Sequence, residues 1–332
     1  MIITRTPFRI SFFGGGTDYP VWYKDNTGAV LSTTINKYCY ISCRYLPPFF
    51  DYRYLLRYST REEVNTIDKI GHPSIRECLR FMSIEKGIEI VHTGDIPARS
   101  GIGSSSAFTV GLLHALYALL GKMVTKRQLA REAIHVEQTL IKENVGSQDQ
   151  IATAFGGFNK IEFSGANEFY VYPLTIHPDK LVLLQSHLLL FFTGFSRNAS
   201  DIACEQIKQT HRNETELRTM MEMVDEAISI LDRSSDNLSD FGKLLNEAWK
   251  LKKGLNGLIS NNKIDEIYEI AMKSGALGGK LLGAGGGGFM LFFASPEHHQ
   301  RIRKNLKDFL YVPFGFEKLG TQVILYSTQD FY

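Results

Sequence analysis

The chain has 332 residues, of which 44% are hydrophobic and 22% charged, with a formal net charge of +2. That length accommodates two lobes with a sizeable core, and the composition is ordinary for a globular protein. The near-neutral charge leaves no electrostatic footprint for nucleic acid or an anionic membrane surface.

The N-terminus, MIITRTPFRI, lacks the apolar core of a signal peptide, so a cytoplasmic location is expected. Ile2 to Phe13 predicts a strand, or two separated by Pro7. The turn Gly14-Gly15-Gly16-Thr17-Asp18 follows and carries a carboxylate at its lip. On its own, Asp18 could do no more than bond its own backbone. Gly28 to Tyr45 is rich in Val, Ile, Thr and Tyr and predicts two strands. Leu46 to Thr60 is aromatic and broken by Pro47 and Pro48. Ile75, Leu79 and Met82 fall at helical spacing and predict a helix over 74–86. Cys39, Cys43, Cys78 and Cys204 are scattered, which reads as reduced thiols rather than a zinc site.

Gly87 to His92 predicts a short strand, and Phe108 to Leu120 a buried helix. Between them lies Pro97-Ala98-Arg99-Ser100-Gly101-Ile102-Gly103-Ser104-Ser105-Ser106-Ala107. A Gly/Ser turn entering a helix N-terminus aims free backbone N–H groups at an anion, and the helix dipole adds to the attraction. Serine hydroxyls can donate to phosphate oxygens or ligate a hard cation. The turn reads as a nucleotide phosphate cradle. A bare helix N-cap is the plainer alternative. The string lacks the third glycine of a dinucleotide-binding turn and the Gly-Lys-Ser/Thr of a P-loop.

Leu129, Ala133, Val136 and Leu140 predict a helix over 125–143, with Glu137 one residue off its apolar stripe. Asn144 to Gln150 packs polar residues, Asp149 among them, between apolar segments. Gly157 to Pro173 alternates like strands. Leu181 to Gly194 predicts a buried strand or strand pair. It is the longest apolar stretch without a charge, and Gln185, Ser186 and His187 make it too short and polar to span a bilayer. A loop with Arg197 follows, then one long helix or two over 200–233 and further helices over 239–254 and 263–273. A second glycine cluster, Gly283-Ala284-Gly285-Gly286-Gly287-Gly288, precedes the strand Phe289 to Ala294. Five glycines in six positions imply close backbone approach. A helix over 296–309 and a strand over 321–328 end the chain.

Taken in order, three motifs resemble the GHMP kinases. They are Pro7-x-Arg9-Ile10-x-Phe12-x-Gly14-Gly15-Gly16-Thr17-Asp18-Tyr19, the Pro97–Ala107 loop, and the Gly283–Gly288 cluster. Within the family, the FFGGGTDYP form and the TGFSRNAS segment are most similar to the kinases that phosphorylate O1 of a heptose 7-phosphate, on the route to nucleotide-activated heptose for bacterial surface polysaccharide. The L-fucose kinases are closely similar. The resemblance implies an α+β, two-lobed fold. The N-terminal lobe, 1–175, would be like ribosomal-protein S5 domain 2, and the C-terminal lobe, 176–332, ferredoxin-like. It implies ATP and Mg²⁺ as cofactors, a small sugar or sugar phosphate as partner, and a monomer or homodimer.

The resemblance also implies roles. Pro97, Ser100, Gly101, Ile102, Gly103, Ser104, Ser105 and Ser106 would bind the ATP phosphates. Ser105 and Glu137 would ligate Mg²⁺. Asp149 would take the proton from the acceptor hydroxyl, and Arg9 would hold that aspartate and favour negative charge at the reacting oxygen. Gly15, Gly16, Thr17, Asp18, Gly285, Gly286 and Gly287 would line the substrate pocket. Arg197, and more weakly Lys37 and Arg44, would meet a distal phosphate. A catalytically inactive sensor on the same fold would be expected to lose these groups. A dinucleotide-dependent oxidoreductase leaves the first and last glycine clusters unexplained.

Overall fold

A computed structural model describes residues 1–98, 100–165, 168–194, 199–235 and 237–327. Two sheets organise it. The larger has nine strands: β1 (Ile2–Phe13), β2 (Gly28–Tyr45), β3 (Tyr54–Arg57), β4 (Arg61–Val64), β5 (Ile88–Gly94), β6 (Phe158–Ser164), β7 (Glu168–Pro173), and the late strands β12 (Phe316–Glu317) and β13 (Gln322–Tyr326). The smaller runs β11-β8-β10-β9, from β8 (Leu188–Phe192), β9 (Ala276–Leu281), β10 (Phe289–Ala294) and β11 (Leu310–Tyr311).

The spine of the first lobe is the antiparallel pair of β1 and β2. β1 is one strand, not two, and the pairing absorbs Pro7 by a register shift at Pro7/Phe8. β2 is also one strand of 18 residues. Its first half pairs with β6 and its second half with β5, so one strand serves two neighbours. The helices are α1 (Pro20–Tyr23), α2 (Pro73–Phe81), α3 (Ser104–Leu119), α4 (Lys126–His135) and α5 (Gln148–Phe155) in the first lobe. They continue with α6 (Pro178–Ser186), α7 (Ala199–Lys208), α8 (Glu214–Asp232), α9 (Ser239–Gly254), α10 (Asn262–Lys273) and α11 (Pro296–Asn305). Apolar residues surround α3, which lies buried against β1 and β2.

Three further expectations differ from the structure. The stretch 181–194 is a helix followed by a strand. Pro178 sits at the first helical turn, and the His177 ring accepts from Asp179 N at 3.3 Å, so the chain starts α6 there. The helix expected over 125–143 leaves α-geometry after His135 and makes a π-turn over Val136–Leu140, which carries Glu137. Of the two forms expected over 200–233, one helix or two, the structure has two, α7 and α8, separated by a 3₁₀ turn at Thr210–Asn213. Finally, the end of the chain leaves the second lobe. β12 pairs with β2 and β13 with β1, so a cut at 175/176 does not separate the two sheets.

The lobes meet where β1 ends. Phe241 of α9 packs edge-on against Phe12 and Phe13 of β1, with ring centroids 5.6 and 5.2 Å apart. Such pairs contribute about 0.5–1.5 kcal/mol each beyond their burial. Among the described residues, no helix is long and apolar enough to cross a membrane.

Candidate active site

The site lies where the phosphate-cradle loop, the end of β1, the start of α5 and the second glycine cluster converge. Gly101 and Gly283 pack backbone against backbone: a Cβ built on Gly283 would lie 2.6 Å from Gly101 Cα. Both have left-handed φ, +83° and +73°. A side chain at either place would force the two loops apart, which is why both clusters are glycine-rich here.

Arg9 and Asp149 form the centre. Arg9 Nε and Nη2 donate to Asp149 Oδ1 and Oδ2, each at 2.7 Å, while Nη1 donates to Gly101 O at 2.8 Å. The Arg9 side chain is 2% exposed and the Asp149 side chain 24%. The guanidinium is therefore locked from behind while the carboxylate stays open to the cleft. A Cβ on Gly103 would lie 3.4 Å from Asp149 Oδ2, so the pair sits directly beneath the cradle. Backbone reinforces this, since Arg9 N donates to Ile102 O at 3.0 Å.

Asp18 is buried beside that pair. Its carboxylate accepts from Gly16 N at 3.0 Å and from Gln148 N at 3.4 Å. Burial pushes its carboxyl above the usual range, against the pull of those backbone bonds, and Asp149 adds a smaller push upward. Gly146 makes the approach possible: a Cβ there would meet Asp18 Oδ2 at 1.8 Å.

Glu137 is fully buried. Its Oε2 accepts from Ser106 Oγ at 2.9 Å and from Gln150 Nε2, while its Oε1 has no hydrogen-bond partner among the described residues. Burial raises its carboxyl to about 7, partly offset by hydroxyl and amide donors. A buried carboxylate oxygen without a partner, next to a serine hydroxyl at the head of the phosphate helix, is a donor set that suits a hard cation with few protein ligands.

The predicted site residues sort clearly. Arg9, Gly15, Gly16, Asp18 and Asp149 line one cleft together with Gly101, Gly103 and Ser104 to Ser106. The serine on Glu137 is Ser106, however, and Ser105 is exposed. Helix α3 begins at Ser104, and its 100° turn per residue swings the third serine toward Glu137 and leaves the second exposed on the cleft wall. Thr17 does not face the cleft. Its hydroxyl bonds Gly14 O and Ala29 O at 2.8 and 3.0 Å and ties the turn to β2. Pro97 is exposed, and Ser100 and Ile102 are buried beneath the cradle. Of the second glycine cluster, Gly283 and Ala284 reach the cleft. Gly285 and Gly286 instead pack on Ile259, with Gly286 N donating to Ile259 O at 2.9 Å, and Gly287 does not line the cleft. Arg44 pairs with Glu89 at 2.7 Å on the outer face of β2, and neither it nor Lys37 lines the cleft. Arg197 lies outside the described residues.

Two lysines that the motifs do not contain also line the cleft. Lys252 of α9 is 7% exposed and Lys280 of β9 is 4% exposed. Both carried a signal. Lys252 continues the buried stripe Leu245, Ala248, Trp249 at helical spacing, and Lys280 interrupts a glycine and leucine strand.

Known proteins share the sequence patterns and the fold of this chain. Residues 69–157 match the pattern of the GHMP kinases N terminal domain, and residues 227–312 that of the GHMP kinases C terminal. The D-glycero-alpha-D-manno-heptose 7-phosphate kinase of Campylobacter jejuni is 32% identical, over 97% of this chain and 98% of its own. The chain belongs to the GHMP kinase family. The L-fucokinase/L-fucose-1-P guanylyltransferase of Bacteroides fragilis is 28% identical over 92% of this kinase, which spans 36% of that longer protein. The fold of the kinase is shared with a D-glycero-D-manno-heptose 1-phosphate kinase from Bacteroides thetaiotaomicron (TM-score 0.80, 23% identity, 99% and 100% of the two chains). It is also shared with Lactococcus lactis galactokinase (TM-score 0.72, 18% identity, 97% and 94%). As a GHMP kinase, the protein is an ATP-dependent phosphotransferase with an alcohol group as acceptor.

Proposed function

We propose that the kinase transfers the γ-phosphoryl group of ATP to O1 of a D-glycero-D-manno-heptose 7-phosphate, giving the 1,7-bisphosphate. The observation that carries this reading is the open carboxylate of Asp149, gripped by Arg9 beneath the phosphate cradle. It coincides with near-full-length similarity to a kinase of that substrate.

Phosphoryl transfer asks for positioning, charge neutralisation and a group to receive the acceptor proton. Backbone N–H groups of the 101–106 loop and the N-terminus of α3 hold the ATP phosphates. Asp149 takes the proton from O1. The bidentate grip of Arg9 uses one lone pair on each oxygen and leaves others directed at the cleft. Arg9 also brings positive charge to the place where negative charge develops. Asp18 accepts hydrogen bonds from sugar hydroxyls, with Gly15 and Gly16 forming the adjacent wall. Mg²⁺, when bound, would be held by Glu137 with Ser106 and would neutralise charge on the phosphates.

L-fucose is the second reading, favoured by the similarity to the Bacteroides fragilis protein. ADP release measured over a panel of sugars and sugar phosphates decides between them. Turnover with heptose 7-phosphate far above that with L-fucose supports the first reading, and the reverse order overturns it.

A further inference from the structure

Arg9, Lys252 and Lys280 share the cleft with the carboxylates Asp18, Glu143 and Asp149, yet among the described residues only Arg9 of the three cations is in a direct ion pair. Arg9 is committed to Asp149 and Gly101. Lys252 Nζ donates only to backbone carbonyls, Leu281 O at 3.0 Å and Gly283 O at 2.5 Å. Lys280 Nζ donates to Phe12 O at 2.7 Å. Among the described residues, neither lysine has a carboxylate within ion-pair distance. An ammonium has three donors, so one on Lys252 and two on Lys280 remain unassigned on residues that line the cleft. Burying ammonium groups against carbonyls alone is costly, and a polar site retains such groups when a ligand completes them. Ser11 adds a neutral donor. It lies two residues from Arg9 on the same face of β1, it is 5% exposed, and its hydroxyl has no partner although it lines the same cleft.

Position identifies which anion this is. The ATP phosphates belong to the cradle, beside Arg9 and Gly101. Lys252 is anchored at Gly283, which packs on Gly101 at the edge of the cradle, and Lys280 at Phe12, three residues beyond Arg9 on β1 and about 10 Å away at the rise of a strand, so the two lysines run from the cradle toward the Asp18 turn. Phe12 lies two residues before the Gly14 turn that carries Asp18. In the proposed binding mode, with O1 at Asp149 and sugar hydroxyls at Asp18, the phosphate-bearing end of the acceptor is the anion that falls to this wall rather than to the cradle.

We propose that Lys252, Lys280 and the Ser11 hydroxyl form an acceptor-side anion site, which holds the phosphate that the sugar already carries. This rests on the reading of the acceptor as a sugar phosphate. Burial holds both ammonium groups below their ordinary range, Lys252 at about 7, so an arriving dianion also fixes their charge.

The test uses Lys252→Met and Lys280→Met, which keep side-chain length and remove the charge. Each is expected to raise KM for heptose 7-phosphate about 10- to 100-fold, the span of one or two charged hydrogen bonds. KM for unphosphorylated heptose and for ATP should move less than about threefold. Equal losses on both acceptors, or a loss confined to kcat or to the KM for ATP, place the lysines on the transferring group and overturn the proposal. Binding of inorganic phosphate to the MgADP-loaded enzyme, measured by titration calorimetry, is the second arm. Binding lost in the two variants supports the site even if heptose 7-phosphate is not turned over, in which case only the acceptor reading falls. Phosphate that fails to bind the wild type, or binds the variants equally well, overturns the site. Unfolding temperatures at or above that of the wild type show that the variants are folded.

Discussion

Arg9 and Asp149, 140 residues apart in sequence, are joined by two parallel hydrogen bonds of 2.7 Å directly beneath the phosphate cradle. One partner is sealed and the other is open, so the pair has a rigid side and a reactive side. Asp149→Asn keeps the shape, removes the base and weakens the grip of Arg9. Turnover should fall on the order of 10²-fold or more while ATP still binds. Steady-state kinetics with a separate nucleotide-binding assay checks this, and near-normal turnover removes Asp149 from the base role.

Ser106, rather than Ser105, faces Glu137. Ser106→Ala should raise the Mg²⁺ concentration for half-maximal rate on the order of tenfold, and Ser105→Ala should shift it much less. A Mg²⁺ titration of both variants gives the comparison. A larger effect from Ser105→Ala would return the metal to the second serine of the loop.

Much of this site was legible in the sequence because it sits in glycine and serine turns, whose local chemistry is explicit. The cradle was visible in this way, whereas the roles of Arg9, Asp18 and Asp149 followed from the resemblance of the three motifs to the GHMP kinases. The identity of the inward serine was not, because it depends on where α3 starts and how its first turn faces. The π-turn that carries Glu137 has no sequence period of its own. Lys252 and Lys280 stand outside every motif, and only the packing of α9 and β9 brings them to one wall. The return of β12 and β13 to the first sheet is a long-range pairing that no local pattern encodes.

Gly146 has an ordinary negative-φ or extended backbone, so the effect of Gly146→Ala is steric. Its Cβ would meet Asp18 Oδ2 at 1.8 Å, which forces Asp18 or the 144–147 segment to move. A loss of about 1–3 kcal/mol in stability is expected, with a rise in KM for the acceptor larger than that for ATP. Chemical denaturation and two-substrate kinetics measure both. Unchanged acceptor KM would place Asp18 away from the sugar.

Lys252→Met should stabilise the ligand-free protein, and by an amount that depends on pH. The folded ammonium titrates near 7 because burial opposes its charge, against an ordinary 10.5 in the unfolded chain. Between those values the unfolded chain binds more protons, so wild-type stability rises with pH from about 7 to 10.5. The advantage of methionine is therefore largest at and below pH 7 and shrinks toward pH 10. The groups whose charges act on Lys252 are Arg9, Asp18 and Asp149, and Lys280 lies beside it. Lys280, also held down by burial, is common to both proteins. Denaturant unfolding at pH 7 and 9.5 tests the trend. An advantage that grows with pH contradicts it.

The most direct measurement is the phosphorus NMR spectrum of the product formed from ATP, Mg²⁺ and D-glycero-D-manno-heptose 7-phosphate. The account predicts two phosphomonoester signals of equal area from the sugar, one retained at C7 and one new signal coupled to the anomeric proton. A new phosphate coupled to any other carbon's proton, or ATP left unconsumed while L-fucose is phosphorylated under the same conditions, would contradict it.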